Sequence, residues 1–156
     1  MAIPRWIHYA EIAPPVRAII YTLAAGGITH LSAAGLIPGL PLVPLAGILI
    51  VAGVGIAVSA ALLFRRHGTE INPTSATNRV LVTFGPYRFS RNPMYLGLVL
   101  VTVGVAFWIG AWPMFLPPIA VFATANWVHI PFEETKMMRQ FGAAFESYTS
   151  RVRRWI

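Results

Sequence analysis

Gly85-Pro86-Tyr87-Arg88-Phe89-Ser90-Arg91-Asn92-Pro93-Met94-Tyr95-Leu96-Gly97 is the stretch on which the reading of this chain turns. A Gly-Pro pair marks a turn. Two arginines follow, three residues apart, and Asn92-Pro93 then opens a long apolar run. Asn at an N-cap with Pro at the first helical position signals a helix start. From Asn92 to Phe132 there is no charged side chain, so the helix that begins here is expected to enter a membrane. Cationic residues then sit where a helix N-terminus meets the bilayer surface. Free backbone N–H groups and guanidinium groups in that position can hold an anionic group of a small ligand.

Upstream lies a second charge-free window, Ala18 to Phe64. Each window is about twice the roughly 20 residues that a helix needs to cross the hydrocarbon. Each also carries a turn signal near its middle, Gly35-Leu36-Ile37-Pro38-Gly39-Leu40-Pro41 in the first and Gly110-Ala111-Trp112-Pro113 in the second. The pattern predicts an all-α integral membrane protein with four transmembrane helices in two hairpins, at about 18–37, 41–64, 93–111 and 113–131. Composition agrees. The chain is 56% hydrophobic and 11% charged, with a mean hydropathy of +0.65, whereas soluble domains are about 25% charged. Its 156 residues leave room for one domain, expected to occupy 1–156. There is no cysteine, which excludes disulfides and a thiol nucleophile; no metal site is expected.

In a soluble domain the net charge of +7 would suggest a nucleic-acid partner. Here its placement points elsewhere. Arg5 and Arg17 precede the first hairpin, Arg65, Arg66, Arg79, Arg88 and Arg91 lie between the hairpins, and Lys136, Arg139, Arg151, Arg153 and Arg154 follow the second. By the positive-inside rule both termini and the elements 65–92 and 132–156 are cytoplasmic. The first apolar segment is too long for a cleaved signal peptide and flows into a second span.

Other signals fill in the frame. Trp6, His8 and Tyr9 suit an interfacial segment, stiffened by Pro14-Pro15. Gly26-Gly27, Gly47, Gly53 and Gly55 are expected to allow close helix approach. His30 is expected to be uncharged and hydrogen-bonded to a neighbouring helix. Pro117-Pro118 should disturb the first turns of the fourth span, and Pro131 should begin or redirect a helix. Met138, Phe141, Phe145, Tyr148 and Val152 recur every three or four residues, which predicts a C-terminal amphipathic helix. That helix either lies on the membrane surface or folds back over the central loop.

These residues carry a resemblance. Gly85-Pro86-Tyr87-Arg88 with Arg91-Asn92-Pro93-Met94-Tyr95-Leu96-Gly97, then Glu133-Glu134, then Phe141-Gly142 through Phe145, Tyr148, Val152, Arg154 and Trp155, resemble in order and spacing the signature of the isoprenylcysteine carboxyl methyltransferase and phospholipid N-methyltransferase superfamily. The resemblance implies S-adenosylmethionine as methyl donor, bound at the cytoplasmic membrane surface, and a lipophilic acceptor, either a prenylcysteine-type carboxylate or a phospholipid amine. Carried over, Tyr87, Arg88, Arg91, Asn92, Pro93, Tyr95 and Gly97 contact or shape the cofactor site, and Glu134 with Glu133 takes the methionyl ammonium. Arg88, Glu134 and His129 are the catalytic candidates. Many members have His where this chain has Asn92; an Asn cannot titrate, so no base is placed there.

The chemistry of the residues is compatible with this. A helix N-terminus plus Arg88 or Arg91 suits a carboxylate, and a Glu suits an ammonium. Tyr87, Tyr95, Phe89 or Trp127 can stack on adenine or face the sulfonium. For an amine acceptor, His129, Glu133 or Glu134 are candidate bases. Each residue also has a plainer reading. The arginines serve as topology anchors and the aromatics as interfacial belt residues, the glutamates as first-turn acids, and His129 as a packed core residue. Two other functions compete: a nicotinamide-dependent membrane reductase of related architecture, and a non-enzymatic four-span transporter or scaffold. A proton-coupled transporter is expected to carry a carboxylate inside a span, and all five acids lie outside the predicted spans.

Overall fold

The computed structural model describes residues 13–31, 42–67 and 80–156, and every regular element among them is helical. Helix α1 is Pro14–Leu31 and α2 is Val43–Arg66. A 3₁₀ turn, Gly85–Arg88, leads into α3, Pro93–Ile109. A continuous helical stretch then runs from Trp112 to Phe141. It comprises a 3₁₀ turn (Trp112–Phe115), α4 (Leu116–Thr124), a π turn (Ala125–His129) and α5 (Ile130–Phe141). Helix α6 is Ala143–Thr149. The expected interfacial segment before Ala13, the first hairpin tip and Glu70 lie outside the described residues.

Prolines and glycines set the boundaries. Proline occupies the first or second position of α2, α3 and α4, where its missing N–H costs nothing. Gly110 caps α3 in the left-handed region at φ 69°. Asn92 stands at the N-cap of α3, but its side chain does not cap the helix. Pro131 neither begins nor ends a helix. It is the second residue of α5, and the wider π turn just before it absorbs the backbone bond that a mid-helix proline cannot make. The fourth span, expected to stop at 131, therefore continues as helix to Phe141. The C-terminal amphipathic helix is in fact two. Gly142, at φ 48°, breaks it, so Met138 stays exposed on α5 while Phe145 and Tyr148 of α6 are buried.

Helices α2 and α3 run antiparallel and pack most closely. A Cβ on Gly53 would lie 2.5 Å from the Gly97 carbonyl oxygen, and one on Gly104 would lie 3.0 Å from that of Ala46. A Cβ on Gly97 would collide with the Gly53 carbonyl in turn. Small residues at these positions let the two backbones touch. Gly26, Gly27, Gly47 and Gly55 do not share this role, because a side chain there would meet no described atom within 4 Å. His30 is exposed and bonds to no neighbouring helix among the described residues.

Two helices are long and apolar enough to cross a membrane, Val43–Arg66 and Trp112–Phe141; α3 is apolar but shorter. Their outer faces carry Ile48, Val51, Val54, Ile119 and Trp127 in the open. Apolar surface of that extent is compatible with a lipid surround.

Candidate functional site

Past the charged end of α2, the chain turns at Gly85 (φ 62°) and presents Tyr87 to the interior. The Tyr87 ring stacks on Phe64 of α2, with centroids 5.0 Å apart and 8° between planes. Its carbonyl accepts a hydrogen bond from the Tyr148 hydroxyl at 2.7 Å, which fastens α6 over the loop. The C-terminal strap adds further bonds. The Arg91 N–H donates to the Arg153 carbonyl (3.0 Å), and Asn92 Nδ2 donates to the Arg154 carbonyl (2.9 Å). Of the two placements open for the C-terminal segment, folding back over the loop is the one observed.

The Glu pair is divided between two tasks. Glu134 is clamped by two arginines: Oε1 lies 2.8 Å from Arg91 Nη2, and Oε2 lies 2.5 Å from Arg154 Nη2. Arg91 Nη1 donates to the Thr149 carbonyl as well, at 3.2 Å. Glu133 takes no part in that clamp. It accepts a hydrogen bond from the Tyr95 hydroxyl at 2.6 Å. Adjacent helical residues point about 100° apart, so the two carboxylates cannot share one partner.

Between these groups lies a cavity of about 340 Å³, within the roughly 300–1,000 Å³ of small-molecule sites. Its polar wall includes Tyr87, Arg91, Asn92, Tyr95, Glu133 and Glu134. Its apolar wall includes Pro14, Ala57, Val58, Phe64, Leu98 and Phe145. Two buried donors in the wall, the Tyr87 hydroxyl and Arg91 Nε, have no hydrogen-bond partner among the described residues. Pro93 has no N–H to give, and the first intrahelical bond of α3 runs from Leu96 N–H to the Asn92 carbonyl (3.0 Å). The N–H groups of Met94 and Tyr95 lie in the first turn of that helix, where no intrahelical acceptor is in reach. Burial, reinforced by the negative charge of Glu133, pushes the Tyr87 phenol above the usual tyrosine range. Tyr148 is pushed up to about 12 by burial, against the lowering effect of Arg91. Both phenols stay protonated at neutral pH; the Tyr148 hydroxyl is committed to the Tyr87 carbonyl, and the Tyr87 hydroxyl is available as a donor.

Of the sequence candidates, Tyr87, Arg91, Asn92, Pro93, Tyr95, Glu133 and Glu134 all line this cavity. Gly97 does not; it belongs to the α2–α3 contact. Arg88 is exposed and does not line it either. Phe89 and Trp127, considered as stacking partners for adenine, are 76% and 69% exposed. His129 is buried beside a separate small void and bonds to Arg17. Sequence reasoning placed Arg154 and Tyr148 in the C-terminal motif and Pro14 before the first span, but gave none of them a place in the cofactor site; they meet it through the fold-back of the C-terminus and the docking of α1. Nothing in a single sequence announces contacts made across so many residues.

The described residues thus form an all-helical protein with two helices of membrane-spanning length and a cavity with one charged end. Residues 42–144 match the family model described as phospholipid methyltransferase, and the chain belongs to that family. The chain is also similar to an uncharacterized protein of Haemophilus influenzae, 33% identical over 63 residues, which are 40% of this chain and the whole of that relative. No solved structure matches it.

Proposed function

We propose that this protein is an S-adenosylmethionine-dependent methyltransferase that modifies a lipophilic acceptor at the cytoplasmic membrane surface. The reading includes a single domain with four spans and both termini on the cytoplasmic side. Family membership, two helices of spanning length and the segregation of every Lys and Arg support it. The same membership disfavours the reductase and transporter readings.

The observation that carries the proposal is the division of the Glu pair. Glu134 is neutralised by Arg91 and Arg154. That leaves Glu133 as the carboxylate in the cavity wall to meet the cofactor's ammonium, a reversal of the role expected for Glu134. The carboxylate of the cofactor has donors to meet in the Tyr87 hydroxyl, Arg91 Nε and the N–H groups at the start of α3. The two buried side-chain donors, the Tyr87 hydroxyl and Arg91 Nε, lack partners among the described residues, and such groups are costly to leave unpaired. The site's residues thus fit a zwitterionic amino acid moiety. When bound, the cofactor supplies an electrophilic methyl group on sulfur. The chain's own residues orient that group and exclude water with Phe64, Leu98 and Phe145, which favours in-line transfer. Arg88 receives no role in this scheme, and Gly97 acts only by seating α3 on α2.

A transfer assay tests the proposal. Purified protein in detergent is incubated with cofactor labelled in the methyl group, against a phospholipid extract and against prenylcysteine analogues. Label is expected in one lipophilic class. Failure to label either class would refute the assigned acceptor chemistry.

A further inference from the structure

Arg17 and His129 meet behind the wall of the main cavity, and neither lines it. Arg17, in the first turn of α1, is 7% exposed. It is not the surface anchor that a cation before a span is expected to be. Its Nη1 lies 3.2 Å from Nε2 of His129, a residue 2% exposed. A guanidinium only donates, so Nε2 accepts and the ring proton of His129 is on Nδ1. Among the described residues no carboxylate lies within ion-pair distance of Arg17, and its Nη2 has no hydrogen-bond partner. An arginine cannot shed its proton, and burying its charge without a counter-charge is destabilising. Docking α1 onto the bundle does not require that charge; an apolar side chain packs there without the penalty.

What the pair touches is Tyr95. The His129 and Tyr95 rings have centroids 5.9 Å apart and planes 23° apart, within the range of offset stacking. The Tyr95 hydroxyl donates to Glu133 Oε1 at 2.6 Å. His129 and Glu133 are four residues apart on one helical stretch, a spacing that places them on one face. One helix face thus grips a single tyrosine of α3 twice, at the ring through His129 and at the hydroxyl through Glu133. Tyr95 is the partition between the two sides. It lines the main cavity, and it borders a small void together with Arg17 and His129. His129 closes the π turn, a departure from α geometry found most often at functional sites. Arg17 lies outside residues 42–144, which match the family model, so the match does not describe this feature.

We propose that Arg17 and His129 are positioning residues of the cofactor site: Arg17 fixes the His129 ring, His129 backs the Tyr95 ring, and the Tyr95 hydroxyl, so held, orients Glu133 in the cavity wall. The inference rests on the methyltransferase reading and on Glu133 as the carboxylate that meets the ammonium. It gives His129 a task without contact with the ligand, in place of the catalytic one considered from the sequence. It also gives α1 a part in the site beyond the wall contact of Pro14. Without Arg17 the imidazole turns freely, Tyr95 loses its backing, and Glu133 must be ordered when the ligand arrives. Groups already held in place spare the ligand that ordering.

The test is a double-mutant cycle read by calorimetric titration with S-adenosylmethionine, alongside melting curves, on the full chain in detergent. Arg17→Gln should weaken binding by about three- to tenfold, a part of what one charge-assisted hydrogen bond contributes. In a Tyr95→Phe background, where the hydroxyl that links the pair to Glu133 is gone, Arg17→Gln should weaken binding further by less than about twofold, because coupled residues do not add. A role in docking α1 alone would lower the melting temperature and leave affinity as it is, and that result overturns the proposal. So does a loss of affinity that is the same in both backgrounds. Should Arg17→Gln fail to fold, His129→Asn takes its place. It removes the ring, keeps an acceptor for Arg17, and must show the same loss and the same non-additivity. Wild type that binds no S-adenosylmethionine refutes the methyltransferase reading, and the positioning role falls with it. Wild-type binding with affinity unchanged in Arg17→Gln overturns the positioning role alone, which keeps the two failures apart.

Discussion

At the scale of single residues, the decisive feature is which carboxylate is already paired. Sequence order alone makes Glu133 and Glu134 equivalent, and the resemblance favours Glu134 for the ammonium. In space two arginines from distant segments, Arg91 and Arg154, converge on Glu134, which supports the proposal that Glu133 meets the ammonium. Glu134→Gln should therefore act on the fold. The pair is partly exposed, between the surface case of about 0.2–1 kcal/mol and the buried case of about 3–5 kcal/mol, so a loss of roughly 1–3 kcal/mol is expected in chemical denaturation. Glu133→Gln should leave the melting curve nearly unchanged and weaken cofactor binding. Tyr95→Phe removes the hydroxyl that holds Glu133 at 2.6 Å, and it should weaken cofactor affinity by a smaller factor than Glu133→Gln. A larger effect of Tyr95→Phe would mean that the phenol, not the carboxylate, meets the ligand. The motif from Tyr87 to Tyr95, read through its resemblance to a family signature, made most of the cavity wall legible in advance. The clamp was not legible, since it depends on where the C-terminus lands.

At the scale of elements, glycine position separates packing from surface. Gly97 and Gly55 look alike in sequence, as small residues in apolar runs. In space a Cβ on Gly97 would collide with the backbone of α2, whereas one on Gly55 would meet no described atom. Gly97→Ala should cost about 1–3 kcal/mol through overpacking. Gly55→Ala should be neutral or stabilising by up to about 1 kcal/mol through helix propensity. Thermal unfolding in detergent checks both, and equal effects would contradict the antiparallel α2–α3 contact. Gly142 gives a third case. Its φ of 48° is unfavourable for a side chain, so Gly142→Ala should strain the bend by about 1–3 kcal/mol and loosen α6 from Tyr87. The long apolar runs made the helices readable because hydrophobicity and proline placement are local signals. The break at Gly142 and the run-on through Pro131 were not readable. A glycine with positive φ and a π turn both arise from what the flanking segments pack against.

At the scale of the whole molecule, two predictions remain: how the chain sits in a membrane and what its cavity holds. The absence of native cysteine makes labelling direct. A single cysteine at Trp112, which is exposed, should react only with reagent from the outer side, and one at Ser150 only from the cytoplasmic side. Labelling of both from one side would contradict the hairpin arrangement of α3 and the following helix. The cavity is tested most directly by calorimetric titration of the purified protein with S-adenosylmethionine, in parallel with a nicotinamide dinucleotide. The account predicts saturable binding of S-adenosylmethionine alone, weakened about ten- to a hundredfold in Glu133→Gln, as loss of a hydrogen bond to a charged group implies. Binding of the dinucleotide in its place, or S-adenosylmethionine affinity unchanged by Glu133→Gln, would contradict it.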